Sequence, residues 1–198
     1  MTTLGVTGGI GSGKSAAAAY LESKPGVRVI RADDEARRIM VEDAAVRTAL
    51  VERFGPETFT ADGSLDRAGL AARVFPDEAE VAALNAIVHP AVRQALRDAI
   101  AAARADGVRL LVYEAALLHE IGAHELVDAV LLVDAPLATR VERVMNRDGA
   151  SREQVEARAA HQLEPESFRE MADYVIDNDA GLRELYDQVE AVYRRLGD

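Results

Sequence analysis

Between Gly8 and Ser15 the chain reads GGIGSGKS, four glycines with a lysine and two serines packed into eight positions. The spacing fits G-x-x-x-x-G-K-[ST], a loop in which backbone N–H groups cradle phosphates, the lysine reaches the β- and γ-phosphates and the hydroxyl ligates Mg²⁺. At this composition ~0.0006 accidental matches are expected along the whole chain, so an ordinary glycine turn is set aside. The chemistry implied is the binding of a nucleoside triphosphate. The choice of base at position 14 sharpens this. Only Lys14 and Lys24 are lysines, against twenty-one arginines, and a compact ammonium fits between phosphates where a planar guanidinium fork is too large. Carboxylates that could serve a metal ion, a water or an acceptor hydroxyl follow later apolar runs: Asp33 and Asp34, then Glu114, then Asp134.

These residues need elements to hold them. Thr3–Thr7 reads as a short buried strand and Ser15–Ser23 as an alanine-rich helix, so the glycine loop joins strand to helix. Further apolar runs with strand character fall at Val27–Ile30, Leu110–Tyr113, Ala129–Val133 and Tyr174–Ile176, separated by helical patterns. Five strands alternating with helices predict an α/β chain with an open, mostly parallel sheet covered on both faces, whose ligands gather at the carboxyl ends of the strands. The strand pattern lapses over 34–107, which reads as an inserted helical lobe. Its turn signals are Gly55-Pro56 and Asp62-Gly63, and Pro90 is suited to the first position of a new helix. A second insertion spans 145–172 as a lid. The nucleotide-binding core is then 1–33 with 108–144 and 173–198. In the lid region SREQ (Ser151–Gln154) has capping-box spacing and should open a helix. Ahead of it Arg140, Arg143 and Arg147 share one helical face, the pattern either of a solvated stripe or of a mobile basic lid that neutralises a transferring phosphoryl group.

The remaining composition narrows the classes. At 198 residues, 49% hydrophobic and 29% charged, the chain suits one globular core with small lobes. No apolar run is long enough to span a bilayer, and the N-terminus lacks a secretory pattern, which predicts a cytoplasmic protein. Without cysteine there is no disulfide, thiolate metal site or cysteine nucleophile. A formal charge of −11 disfavours nucleic acid and anionic lipid as partners, while a small anion needs only a local positive pocket. A switch GTPase would require a guanine-reading N-K-x-D stretch, which neither lysine supplies.

The order of several segments carries a resemblance. GVTGGIGSGKS, ADDEAR after the second strand, DGSLDRAGLAARVF, LNAIVHP, ALLHE, VDAVLLVDAP, the pair Arg143 and Arg147, Gln162 and ADYVIDN together resemble the dephospho-CoA kinases nearly end to end. LNAIVHP and ADYVIDN separate that family from adenylate-type kinases. The resemblance implies a P-loop kinase fold with a five-stranded parallel sheet, a helical acceptor lobe and a helical lid. It also implies ATP-dependent phosphorylation of the ribose 3′-hydroxyl of dephospho-CoA, with Mg²⁺. On that reading Gly8, Gly9, Gly11, Ser12, Gly13, Lys14, Ser15 and Ala16 hold the ATP phosphates, and Ser15 also holds the metal. Asp33 accepts or orients the hydroxyl proton, although its position also suits a helix N-cap. Arg143 and Arg147 close on the phosphates. Arg37, Arg67, His89, Arg93 and Glu114 line the acceptor pocket, His89 being equally a structural histidine. Asn178 lies where such folds hold adenine, and asparagine is also a common turn residue. The chain departs from the family pattern at Ala16, Arg31, Ala116 and His119. Two alternatives share the phosphate loop, a kinase for another small molecule and an ATP-driven switch. Acceptor-stimulated ADP release separates them.

Overall fold

A computed structural model describes residues 1–160 and 169–197. The chain forms two compact units, Met1–Arg31 with Ile100–Asp198, and Ala32–Ala99.

The first unit is built on five parallel strands, β1 (Thr2–Thr7), β2 (Val27–Arg31), β3 (Leu110–Glu114), β4 (Ala129–Asp134) and β5 (Tyr174–Asp177), in the order β2-β3-β1-β4-β5. The central strands β1, β3 and β4 are buried almost throughout because a parallel sheet is covered on both faces. The edge strand β2 instead carries Arg28 and Arg31 among valine and isoleucine and is half-buried throughout. One face packs under α1 (Lys14–Glu22) and α8 (Leu182–Gly197): Leu4, Val6, Leu131, Val133 and Ile176 meet Ala17, Ala18 and Leu21 of α1 and Leu185, Val189 and Val192 of α8. Alanine at 16–19 keeps α1 thin enough to lie close to the sheet while favouring the helix. The apolar positions of α8 recur at i, i+4 and i+7, the helical stripe.

At its solvent edge this helix pair carries a polar cluster. Tyr20 and Tyr186 stack with centroids 4.7 Å apart. Glu190 accepts from Tyr20, from Lys24 at 2.7 Å and from Arg194 at 3.0 Å. The Lys24 hydrogen bond foremost, then Arg194, hold the Glu190 carboxyl down from its ordinary 4.5 to about 2. A carboxyl depressed by folding contributes stability above its unfolded value that is lost as pH falls through the folded one. The melting-temperature gap between wild type and Glu190→Gln is therefore expected to be constant near neutrality and to close between about pH 4.5 and pH 2. A scanning calorimetry series across that window reads it.

The second unit holds α2 (Ala32–Glu42), α3 (Ala44–Phe54), α4 (Arg67–Val74) and most of α5 (Glu78–Ala105), which continues into the first unit. Asp43 caps α3 by accepting from Ala45 and Val46, and Asp66 caps α4 through Gly69. Arg47 donates to the carbonyls of Val41 and Gly63 and lies 4.0 Å over the Phe59 ring. One expectation fails here. Pro90 does not open a helix but sits inside the 28-residue α5. Val88, Val92 and Leu96 are buried at i, i+4 and i+8 across it, so packing keeps one axis. Pro90 itself and Ala86, whose carbonyl loses its N–H partner at position 90, are both exposed, where water can take that oxygen.

After β4 the chain forms α6 (Leu137–Asp148) and α7 (Arg152–Ala160). The capping box forms as spaced: the Ser151 N–H donates to Gln154 Oε1 at 3.0 Å and the Gln154 N–H to Ser151 Oγ at 3.3 Å. Ile10 of the glycine loop packs with Val141, Val144 and Val155 of these helices. Gln162 lies outside the described residues.

Candidate active site

The glycine loop joins β1 to α1 as expected, and three of its glycines have backbones that a side chain rarely adopts, Gly8 (φ 150°), Gly11 (φ 79°) and Gly13 (φ 103°). Space demands glycine as well. A Cβ at Gly8 would lie 2.2 Å from the Val133 carbonyl oxygen, at Gly11 2.4 Å from the Arg140 carbonyl oxygen, and at Gly13 2.2 Å from Asn178 Nδ2. Two of those obstacles are backbone atoms that cannot step aside. Gly8→Ala is accordingly expected to cost about 2 kcal/mol or more from backbone strain and overlap combined, read as a lower midpoint in denaturant unfolding.

The loop ends on Gly13, and α1 starts without a side-chain cap and without an acidic residue in its first turn. Its first N–H groups have no intrahelical acceptor and face the loop's concavity with the positive end of the helix dipole, the arrangement that attracts phosphate. A cleft of about 410 Å³ opens there. Lys14 and Ser15 line one side, Arg143 and Arg147 another, and Gly181, Leu182 and Leu185 a third, largely apolar one.

The Ser15 hydroxyl donates to Glu114 Oε1 at 2.8 Å, and Glu114 is nearly buried. The sequence left Glu114 open to a metal ion, a water or an acceptor hydroxyl, and the family resemblance implied the acceptor pocket; the sheet sets its carboxyl against the Ser15 hydroxyl of the glycine loop. The reason is register, since Val6 pairs with Glu114 across β1 and β3, which brings the carboxyl end of β3 beside the loop that leaves β1. Two hard oxygens at one point suit Mg²⁺, which is commonly bound by few protein groups with phosphates and waters completing the shell. No group of three or more His, Asp or Glu able to hold a metal occurs among the described residues.

The arginine face of α6 divides by depth. Arg140 is buried and its Nε donates to the Ala135 carbonyl at 3.0 Å, so it braces the helix start and is no solvated residue. Arg143 is half-buried, with Nη2 3.1 Å from the Asn178 carbonyl and Nη1 3.5 Å from that of Ser12. Arg147 is exposed and pairs with Asp148 at 2.7 Å. Asp134 does not offer a free carboxylate: it accepts from Arg169, which also pairs with Asp177, and from the Ala135 N–H. Arg169 was missed because nothing in its local sequence marks it. Asn178 is buried, its amide donating to the Ser12 carbonyl.

Asp33, Arg37, Arg67, His89 and Arg93 all belong to the second unit. Asp33 is exposed in the first turn of α2, which follows β2 without a loop. Arg37 pairs with Asp34 at 2.6 Å. His89 is half-buried, and burial holds its imidazole below the ordinary range, toward the neutral form. In the segment after β3, the His119 ring lies against that of His124, centroids 4.6 Å apart and planes tilted by 35°. Burial first, then the neighbouring His124, keep the His119 ring below its usual value, while burial raises the Glu120 carboxyl.

Comparison with known proteins matches residues 2–184 to the dephospho-CoA kinase family model. A dephospho-CoA kinase of Salinibacter ruber is 51% identical over 185 residues, 93% of this chain and 92% of its own. A crystal structure of TT1252 from Thermus thermophilus is 39% identical, with a TM-score of 0.81 over 98% of this chain and 97% of that one. The dephospho-CoA kinase structure from Campylobacter jejuni, 24% identical with a TM-score of 0.65 over 98% and 97%, shares the fold.

Proposed function

The chain belongs to the dephospho-CoA kinase family, and from that membership we propose how its residues carry phosphoryl transfer from ATP to the ribose 3′-hydroxyl of dephospho-CoA, giving coenzyme A and ADP in the last step of coenzyme A synthesis. The observation that carries the reading is the bare start of α1, with Lys14 and the Ser15–Glu114 pair beside it.

The loop from Gly8 to Ala16 surrounds the triphosphate and takes it on the N–H groups not closed within the loop, Gly9 included, the Ser12 N–H being tied to the Gly9 carbonyl and that of Ala16 to the Gly13 carbonyl, and Lys14 bridges the β- and γ-phosphates. Phosphoryl transfer asks little covalent chemistry of the protein and much positioning and charge neutralisation. Mg²⁺, held by the Ser15 hydroxyl with Glu114 behind it, supplies part of that neutralisation when bound. Arg143 and Arg147 of α6 supply the rest and exclude water that would otherwise hydrolyse ATP; of the segment 145–172 expected to act as a lid, 161–168 lie outside the described residues. The apolar wall of Gly181, Leu182 and Leu185 takes the adenosine end, next to Asn178, whose amide is committed to the Ser12 carbonyl. The acceptor belongs to the lobe at 34–107, where Arg37, Arg67 and Arg93 suit an anionic substrate and the neutral His89 a hydrogen bond. Asp33 takes or orients the proton of the attacking hydroxyl. No helix among the described residues is long and apolar enough to cross a membrane, and a reaction between two water-soluble nucleotides suits the cytoplasm.

The deciding experiment measures ADP release with Mg²⁺-ATP, with and without dephospho-CoA, and identifies the product by mass. Coenzyme A formed one for one with ADP is expected; ADP release indifferent to dephospho-CoA overturns the reading and calls for a panel of nucleosides and nucleotides. On the metal, Glu114→Gln is expected to raise the Mg²⁺ concentration giving half-maximal rate by about tenfold or more, the usual effect of losing a group that orients a ligand. A magnesium titration at saturating ATP checks it.

A further inference from the structure

A loop built on three positive-φ glycines borrows little rigidity from secondary structure. Within it the Ser12 N–H donates to the Gly9 carbonyl at 3.0 Å. The shortest side-chain bond onto it comes from 166 residues away. Asn178, 4% exposed, donates its side-chain Nδ2–H to the Ser12 carbonyl at 2.7 Å. Its own N–H donates to the Asp134 carbonyl at 2.7 Å, anchoring it to the end of β4. Its carbonyl accepts from Arg143 at 3.1 Å. The same Nδ2 occupies the space a Cβ on Gly13 would need, so the amide lies flat against the loop just where α1 begins.

We propose that Asn178 is a positioning residue for phosphoryl transfer, holding Ser12 and Gly13 so that the loop's N–H groups aim at the triphosphate, and setting Arg143 beside the same loop. The proposal rests on the kinase reading above and deepens it. The chemistry selects asparagine. An aspartate here would turn an acceptor toward the Ser12 carbonyl and add a negative charge beside the phosphates, and an apolar side chain would leave that carbonyl only the longer 3.5 Å bond from Arg143 Nη1. An amide whose N–H is committed to Ser12 in a buried setting supports the phosphate loop instead of reading a purine edge.

The test uses inorganic tripolyphosphate, which has no base. Its affinity in the presence of Mg²⁺ is measured by calorimetry for the wild-type chain, Asn178→Ala and Asn178→Leu, together with ATP, GTP and the KM for each substrate. All readings are taken well below each variant's melting temperature. The leucine variant keeps the branched skeleton and heavy-atom count of the side chain, so it carries the test where alanine leaves an unstable cavity. Tripolyphosphate and ATP are expected to weaken together by about tenfold, from the loss of the shorter of the two bonds that hold the Ser12 carbonyl. The ATP-over-GTP preference and the KM for dephospho-CoA should stay within twofold. Unchanged tripolyphosphate affinity with a collapsed ATP-over-GTP preference overturns the proposal in favour of base recognition. Unchanged affinity with only a lower melting temperature overturns it in favour of a purely structural role. Should dephospho-CoA fail to stimulate the wild-type chain, the kinase reading falls, while the tripolyphosphate arm still decides the role of Asn178.

Discussion

Lys14→Ala is expected to lower kcat/KM for coenzyme A formation on the order of 10³-fold, the scale on which removing one preorganised charge donor at a transferring group acts. ATP affinity should fall as well, by about tenfold or more, because a hydrogen bond to a charged group contributes about 1.5–3 kcal/mol. Both effects follow from position: Lys14 is the first residue of α1 and lines the cleft at the point where the helix N-terminus is uncapped. Lys14→Arg should not restore the rate. Its fork is wider and planar, and the loop's glycines leave no slack to receive it. Steady-state kinetics paired with equilibrium binding of ATP separate the two losses. ATP affinity within twofold of wild type in Lys14→Ala would remove the loop from the nucleotide site.

Asp33→Asn is expected to behave oppositely in binding and similarly in rate. Asparagine keeps the size of the side chain and can still orient a hydroxyl, but it cannot accept the proton. General-base assistance contributes typically about 10²- to 10⁴-fold, so kcat should fall by about 10³ while the dissociation constants of ATP and dephospho-CoA stay within twofold. The contrast with Lys14 is the informative part. Lys14 lies in the cleft of the first unit, whereas Asp33 is an exposed residue of the second, so the two should divide into ATP binding with transfer and transfer alone. Full activity in Asp33→Asn would take that residue out of the mechanism. Binding of both substrates by calorimetry, alongside turnover, completes the comparison.

Much of the site could be read locally. Strand, glycine loop and helix were legible because each is written in a short window: apolar run, glycines where φ must be positive, then alanines with high helix propensity. The reciprocal bonds of Ser151 and Gln154 were legible for the same reason, since a capping box spans four residues. The five strands were found close to their observed limits because a doubly covered parallel sheet makes β3 and β4 nearly continuously apolar and the edge strand β2 keeps valine and isoleucine between its arginines. The arginines of α6 were placed on one face correctly by periodicity, yet periodicity says nothing of depth, and Arg140 proved buried where Arg147 is exposed. Pro90 misled because a local rule, that proline opens helices, met a helix whose packing continues across it.

The sequence by itself determined the chemistry class: a phosphate loop with lysine and serine at its end, in a parallel α/β chain of the dephospho-CoA kinase pattern. Only the tertiary structure decided how the loop is held and what shares its neighbourhood. Glu114 meets Ser15 across 99 positions because β3 neighbours β1. Asn178 reaches Ser12 across 166 because β5 ends beside β4, and Arg169 binds Asp134 and Asp177 at those same strand ends. Apolar runs mark where strands are but do not encode their order in the sheet. Order and register emerge from burying all the faces at once, and they alone bring distant polar residues to one point.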